Sequence, residues 1–206
     1  MQVKRVDKKD KRAIDRIVDI HLKTFKGFFL TFLGKGFLRL MYSCYTVHTE
    51  SDLLVATEGN GEILGFAAYS SNLSGLYKFM LGRKFLPFVW YAFLAFLRRP
   101  KTFFRLFRAL GKSKEVARTE KYVELSSIGV DPDYKRVGVG SALISYLKTT
   151  IDYSEFAYLT LETDADNNEG ANSFYQKNGF KMVRTYQTRE GRKMNEYRYR
   201  DENTVS

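Results

Sequence analysis

The chain has 206 residues, of which 44% are hydrophobic and 28% charged, a balance typical of one globular domain that excludes a disordered chain. Its 34 Lys and Arg exceed its 23 Asp and Glu, but the excess is local. Residues 63–114 hold ten basic side chains and no acidic one, while the other 24 basic residues balance the 23 acidic ones. A high isoelectric point therefore does not by itself indicate nucleic-acid binding.

Cysteine and histidine are too few for disulfide or zinc chemistry. Cys44 is the single cysteine, and His21 and His48 are the two histidines, so their spacing offers no metal-ligand cluster. We expect both histidines on helix surfaces or in the core. Residues 1–15 alternate apolar and charged side chains, unlike a secretory leader, which makes the cytoplasm the expected compartment.

Phe85–Leu97 is an aromatic, uncharged run of thirteen residues. A helix that spans a bilayer needs about 20. The run is therefore long enough to lie on a membrane surface but too short to cross it.

The first part of the chain alternates strand and helix signals. Asp7 or Asp10 precedes apolar residues at helical spacing and is a suitable helix cap. Asn60-Gly61 lies between two apolar β-type runs and predicts a hairpin turn. The predicted elements are a strand at 2–6, a helix that ends near Phe25, a helix at 37–48, and paired strands at 52–58 and 62–71.

The second half predicts a β-α-β-α unit followed by a hairpin. Its elements are a strand at 121–130, a helix at 138–150, a strand at 156–163, a helix at 168–178 and a hairpin around 190–192. Residues 201–206 are expected to fray.

A basic, aromatic segment at about 72–114 separates these halves and predicts two apolar helical stretches divided by Arg98-Arg99-Pro100. One interpretation is a helical lid or a homodimer interface. Another is a cationic, apolar surface that docks on anionic lipid or receives an anionic acceptor. RNA binding fits less well, because the aromatic residues are arranged in helices rather than on an open sheet.

The turn from Asp131 to Ser141 reads as an anion site at the start of a helix. Gly138 and Gly140 allow close backbone approach, the helix N-terminus offers unpaired N–H groups, and Lys135 and Arg136 add positive charge. An ordinary basic turn explains the same residues. The turn is neither a Walker loop nor a dinucleotide fingerprint, because the Gly-Lys-Ser/Thr ending and the third glycine are both missing.

A second motif, Asn168-x-x-Ala171-x-x-Phe174-Tyr175-x-x-x-Gly179-Phe180, follows about one strand later. Together with the glycine turn it resembles the GCN5-related N-acetyltransferase (GNAT) superfamily across residues 122–180. Lys135 departs from the Gln or Arg that the family prefers, but it keeps a long cationic side chain. The basic segment is not part of the family's common core.

The resemblance implies an α/β (α+β) GNAT fold: a mixed sheet of about six to seven strands with flanking helices, a splayed strand pair for CoA and a helical insertion between the third and fourth strands. It implies one domain over 1–206, with acetyl-CoA as co-substrate and no metal. The pantetheine arm would pair with the exposed strand edge, and an amide near Ile128–Val130 would polarise the thioester. The implied cofactor-binding residues are Ile128, Gly129, Val130, Lys135, Arg136, Val137, Gly138, Val139, Gly140, Ser141, Asn168 and Tyr175.

The implied catalytic residues are Tyr175, as the acid that protonates the departing thiolate, and Glu124, as the general base for the acceptor amine. Each has a structural alternative: Tyr175 as a core aromatic residue, and Glu124 as a carboxylate paired with Lys or Arg. Asn168 is either a helix cap or a CoA contact. Ser126 and Ser127 either position a substrate or are simply small strand residues.

The sequence thus predicts a cytoplasmic N-acetyltransferase that moves an acetyl group directly to the primary amine of a small acceptor. The basic segment is compatible with a position peripheral to the inner face of the membrane. A nucleotide- or lipid-linked amino sugar fits the basic segment, which is similar to bacterial members linked to surface-polysaccharide synthesis. The alternatives are a non-catalytic CoA-binding or membrane-docking module and an enzyme that acetylates a protein amine.

Overall fold

A computed structural model describes residues 1–101, 103, 119–135, 137–188 and 191–201. These residues form a seven-stranded mixed sheet in the order β1-β2-β3-β4-β5-β7-β6. All neighbouring strands are antiparallel except β4 and β5, which are parallel. The strands are β1 (Gln2–Arg5), β2 (Ser51–Thr57), β3 (Ile63–Ser70), β4 (Tyr122–Val130), β5 (Tyr158–Asp164), β6 (Lys181–Gln187) and β7 (Lys193–Tyr199). The predicted fold class is confirmed.

Helices cover both faces of the sheet. They are α1 (Lys11–Thr24), α2 (Phe29–Leu33), α3 (Lys35–Tyr45), α4 (Leu73–Arg98), α5 (Val139–Thr150) and α6 (Glu169–Lys177). One apolar core joins α1, α3 and α4 to one face of the sheet, and a second joins α5 and α6 to the other. Buried residues on both faces explain why β2 and β3 read as continuous apolar runs.

In the first half of the chain, the structure decides which Asp caps α1 and changes the predicted helices around α3. Of the two candidate caps, Asp10 begins α1, because its carboxylate accepts a hydrogen bond from the N–H of Ala13 at 2.9 Å. The helix predicted from about Phe37 to His48 is present as α3, but it begins at Lys35 and ends at Tyr45. The short helix α2 was not predicted, because five residues carry too little periodicity to be recognised.

The helix α4 is the first predicted stretch of the basic segment. Its backbone is non-helical at Lys84, three residues before Pro87, where the proline ring crowds the preceding turn. The second predicted stretch, from Lys101 to Lys114, lies outside the described residues except for Lys101 and Phe103. By length and composition, α4 is the one helix in the described part of the chain that could cross a membrane.

Candidate active site

The parallel strands β4 and β5 separate after three residue pairs. They are paired from Tyr122 with Tyr158 to Glu124 with Thr160, and no further pairs follow. On its other edge β4 carries a bulge, because Ala68 of β3 faces Ser127 while the next residue, Tyr69, faces Leu125, so that Ser126 has no partner. The predicted splayed strand pair is confirmed.

The glycine turn leads directly into α5. Gly138 occupies the N-cap position with φ +86°, a left-handed conformation that favours glycine. The first intrahelical hydrogen bond runs from the N–H of Ala142 to the carbonyl of Gly138. The N–H groups of the preceding helical residues therefore have no acceptor within the helix and are available to an anion.

A cleft of about 590 Å³ lies in the splay. Its walls come from the end of α1, from β4, from the end of β5 and from α6. Six residues singled out in the sequence line it: Ser126, Ser127, Ile128, Lys135, Asn168 and Tyr175.

Tyr175 combines two properties within this cleft. Its ring packs against Phe174, Phe180 and Tyr197, and only 9% of the residue is exposed. It also lines the cleft, and within the described chain its hydroxyl forms no hydrogen bond. Burial raises the pKa of the phenol to about 12, so the side chain stays protonated at neutral pH. It is thus both an aromatic core residue and a side chain that faces the cleft.

Asn168 sits at the N-cap position of α6, but its side chain makes no cap hydrogen bond. Its Nδ2 donates instead to Oγ1 of Thr163 at 2.7 Å and to the carbonyl of Asp164 at 3.2 Å. The expectation of a side-chain cap is therefore wrong. The side-chain amide of Asn168 thus ties the start of α6 to the end of β5, because it donates to oxygens of Thr163 and Asp164.

Glu124 is not brought into the cleft with Tyr175. It lines a separate cavity of about 530 Å³ beside the start of α4, where Glu50 and Tyr77 also lie. Burial, aided by the charge of Glu124, raises the pKa of Tyr77 to about 12. Ser126 at the bulge lines the cleft two residues farther along the same strand, so β4 contributes to both cavities.

Comparison with known families and structures gives a consistent result. The model of the acetyltransferase (GNAT) family matches residues 15–180. The chain belongs to the GNAT family.

Solved structures with the same fold cover nearly the whole chain. An aminoglycoside 6'-acetyltransferase type Ii is 14% identical, with 97% of each chain covered and a TM-score of 0.62. A putative GNAT acetyltransferase from Desulfovibrio desulfuricans is 16% identical, covering 97% of this chain and 98% of its own, with a TM-score of 0.59. Arabidopsis thaliana NAA60, solved with acetyl-CoA, is 14% identical over 97% of each chain, with a TM-score of 0.56. The curated proteins contain no match to this chain.

As a GNAT acetyltransferase, the protein uses acetyl-CoA as its co-substrate. Two features of the structure fit this molecule: the unpaired edge of β4 beyond Glu124, and the free N–H groups at the start of α5. Lys135 lines the cleft at the same end. Among the described residues, no group of three His, Cys, Asp or Glu side chains could hold a metal ion.

The two glycines of the turn do different work in this GNAT domain. A Cβ at Gly138 would meet nothing within 4 Å, so only its backbone conformation requires glycine. A Cβ at Gly140 would lie 3.0 Å from the ring of Phe174 on α6. A side chain at Gly140 would therefore crowd Phe174, so this glycine also allows α5 to pack closely on α6.

The remaining predicted contacts surround the turn. A Cβ at Gly129 would lie 2.7 Å from Phe66, so close packing at the end of β4 requires this glycine. Val139, the first residue of α5, is buried, whereas Val137 is exposed in the turn. Val130 and Ser141 flank the turn, on β4 and α5. Arg136 lies outside the described residues.

Asp131, which the sequence analysis took only as the start of the glycine turn, forms a buried charge network. Its carboxylate lies 2.8 Å from Nη2 of Arg16 and 3.0 Å from Nζ of Lys23, and it also accepts from the N–H of Asp133. Burial acts to raise the pKa of Asp131, but the hydrogen bond from Lys23 and these other partners lower it below its ordinary value. The network fixes α1 against the end of β4. No local motif marks this network, because Arg16 and Lys23 precede Asp131 by more than 100 residues.

Three further side chains line the cleft without having been singled out as site residues: His21, which was expected only on a helix surface or in the core, Phe28 and Arg192. His21 is 3% exposed, its Nδ1 lies 2.7 Å from the hydroxyl of Tyr42, and its Nε2 is buried without a partner in the described chain. Burial lowers the pKa of His21 to about 4. Phe28 forms part of the wall, and Arg192 pairs with Asp164, Nη2 to Oδ2, at 2.7 Å.

Proposed function

We propose that this GNAT enzyme moves the acetyl group of acetyl-CoA directly to the primary amine of a small acceptor, in the cytoplasm. The observation that carries the proposal is that Tyr175 lines the same cleft as the unpaired part of β4. A thioester held along that strand edge would place its sulfur within reach of a proton donor. Direct transfer needs no nucleophilic side chain, and Cys44 is buried with its pKa raised by burial to about 11.

Each proton in the transfer has a proposed carrier. As the amine nitrogen forms its bond to the acetyl carbon, the carbon–sulfur bond breaks and Tyr175 donates its proton to the thiolate. An amide of Ile128–Val130 stabilises the negative charge that develops on the acetyl oxygen. The N–H groups at 137–141, together with Lys135, hold the pyrophosphate.

The acceptor amine is an ammonium ion in water, with a pKa of about 10, and it must lose a proton before it attacks. We propose Glu124 as the base. Because Glu124 lines a different cavity from Tyr175, it takes the proton through water rather than by direct contact. Glu50 lines the same cavity as Glu124, and these two carboxylates favour a cationic acceptor on this side of β4.

A nucleotide- or lipid-linked amino sugar is the acceptor class we propose. Its amine would face Glu124, and its phosphate would face cations of the basic segment, which has no acidic residue between 63 and 114. Acetylation of a protein amine is the second candidate. The aminoglycoside 6'-acetyltransferase and a ribosomal-protein-alanine N-acetyltransferase from Brucella melitensis, which has the same fold, show by their names that this fold serves both kinds of acceptor.

Release of the CoA thiol from acetyl-CoA tests the proposal. The panel of acceptors contains amino-sugar nucleotides, the free amino sugars and peptides with free N-termini, and each acceptor has its N-acetylated form as a matched control. Thiol release with an amino-sugar nucleotide, and none with its acetylated form, supports the proposal. Release with peptides alone favours the protein-amine alternative. Tight binding of acetyl-CoA without release on any amine favours a non-catalytic module.

A further inference from the structure

The outward face of α4 is apolar over its second half. Between Phe85 and Leu97, exposed apolar side chains recur every three or four residues. Their exposed fraction ranges from 76% for Leu86 to 46% for Val89. This spacing places them on one side of a helix. The exposed residues are Phe85, Leu86, Val89, Trp90, Phe93 and Leu97, which we call the apolar face.

The opposite side of α4 is fixed to the protein. Leu76, Met80, Phe88 and Ala95 are buried, and the ring of Phe88 lies 4.9 Å from that of Phe37 on α3. A helix that crossed a bilayer would have to leave this core. The geometry therefore favours a helix that lies along a surface, with one side on the protein and the other outward.

Exposed cations bracket the apolar face at both ends. Arg83 and Lys84 precede it, and Arg98, Arg99 and Lys101 follow it. Within the described chain, none of these five side chains forms an ion pair with a carboxylate. No acidic residue occurs between 63 and 114, so nothing on this segment would repel an anionic surface.

We propose that the apolar face of α4 docks on an anionic lipid bilayer, with the flanking cations at the level of the lipid headgroups. The charge decides between occupants. A second copy of this chain would bring the same cations face to face, whereas anionic headgroups complement them. Tyr77, at the start of α4, also lines the cavity that contains Glu124, so the docked helix adjoins that cavity.

Trp90 is the single tryptophan of the chain and lies in the middle of the apolar face, so its fluorescence reports docking directly. Purified full-length protein is mixed with vesicles of phosphatidylcholine containing phosphatidylglycerol, or with vesicles of phosphatidylcholine alone. We expect co-sedimentation and a blue shift of Trp90 emission with the anionic vesicles, and quenching by brominated lipid. Binding should weaken as the salt concentration rises.

The doubly substituted variant Leu86→Asp, Phe93→Asp keeps the Trp90 probe and changes only exposed positions. We expect its affinity for anionic vesicles to be at least about tenfold lower than that of the wild type. Its matched control is Val183→Asp on β6, whose side chain is exposed to 47%, as is that of Phe93, and which should bind like wild type. Replacing Arg83 and Arg99 by Gln should weaken binding about fivefold per cation, and replacing Lys8 and Lys9 should not.

Three results would overturn the proposal. One is an emission spectrum of Trp90 that is already blue-shifted without vesicles and does not respond to them, because the face would then be covered by the chain itself or by a second copy. Another is equal binding of the wild type and the Asp variant. The third is the absence of binding to anionic vesicles. None of them bears on acetyl-CoA binding, so the proposed transferase function is tested separately.

Discussion

Nη2 of Arg16 on α1 lies 2.8 Å from Oδ2 of Asp131, at the end of β4, where the Asp131 side chain is 1% exposed. The pair joins the first helix to the strand that forms the cleft. Removing one partner of a buried ion pair leaves the other charge uncompensated. This contact therefore stabilises the geometry on which the candidate site depends.

Asp131→Asn should lower the free energy of unfolding by roughly 2–3 kcal/mol, because Arg16 and Lys23 lose their shared carboxylate. Urea denaturation measures this loss. Asp133→Asn is the control, since its side chain is 77% exposed, and it should change stability by less than about 0.5 kcal/mol. Equal losses in the two variants would contradict the account. The folded-state pKa of Asp131 is lowered, so its stabilisation is present above pH ~4 and lost as the pH falls through the folded value.

His21 makes a second contribution to the acid sensitivity of the fold. Its pKa is lowered from 6.5 to about 4, so between these values the unfolded chain binds a proton that the folded protein does not. Its contribution to stability is complete above pH 6.5 and falls by about 3 kcal/mol as the pH drops to 4. His21→Gln should flatten the stability profile in this window, as measured by urea denaturation at several pH values. A profile as steep as that of the wild type would be inconsistent with a buried neutral imidazole.

Tyr175→Phe keeps the ring that packs on Phe174 and Phe180 and removes only the hydroxyl. If Tyr175 protonates the thiolate, kcat should fall by ~10²-fold or more with little change in acetyl-CoA affinity. Tyr69→Phe serves as the control, because its hydroxyl donates to Asp52 and neither residue lines the cleft. A wild-type kcat in Tyr175→Phe would remove the proposed role.

Glu124→Gln should reduce the rate most at neutral pH and recover as the pH rises, since the acceptor amine then loses its proton without help. The measurement is the pH profile of CoA release for the variant relative to wild type. Glu120→Gln lies on the same cavity but replaces a carboxylate paired with Arg200, and it should leave the profile unchanged. A constant ratio across pH would show that Glu124 is not the base.

Much of the fold was predictable because its signals are local. Asn60-Gly61 marks the hairpin between β2 and β3, and the period of apolar residues marks α1 and α5. The splayed strands followed from a resemblance carried by the glycine turn and by the motif around Tyr175. These features depend on residues that are close together in the chain.

The parts that were not predicted depend on distant contacts. The partners of Asp131, Arg16 and Lys23, lie on α1 more than 100 residues earlier in the chain, and no single element reveals this pairing. The separation of Glu124 from Tyr175 into two cavities has the same origin, because it depends on how α4 packs beside β4. Gly140 reads as an anion-site glycine in sequence, and only the neighbouring Phe174 shows its packing role.

Calorimetric titration with acetyl-CoA tests the central claim most directly, with Gly138→Val compared with Gly61→Val. Both glycines have φ near +85°, and a side chain at either one meets nothing within 4 Å, so the two variants carry similar backbone strain. We expect the wild type and Gly61→Val to bind acetyl-CoA with similar affinity and Gly138→Val to bind it much more weakly, because only Gly138 shapes the N-terminus of α5. Equal affinity in all three proteins, or no binding by the wild type, would contradict the placement of acetyl-CoA in this cleft.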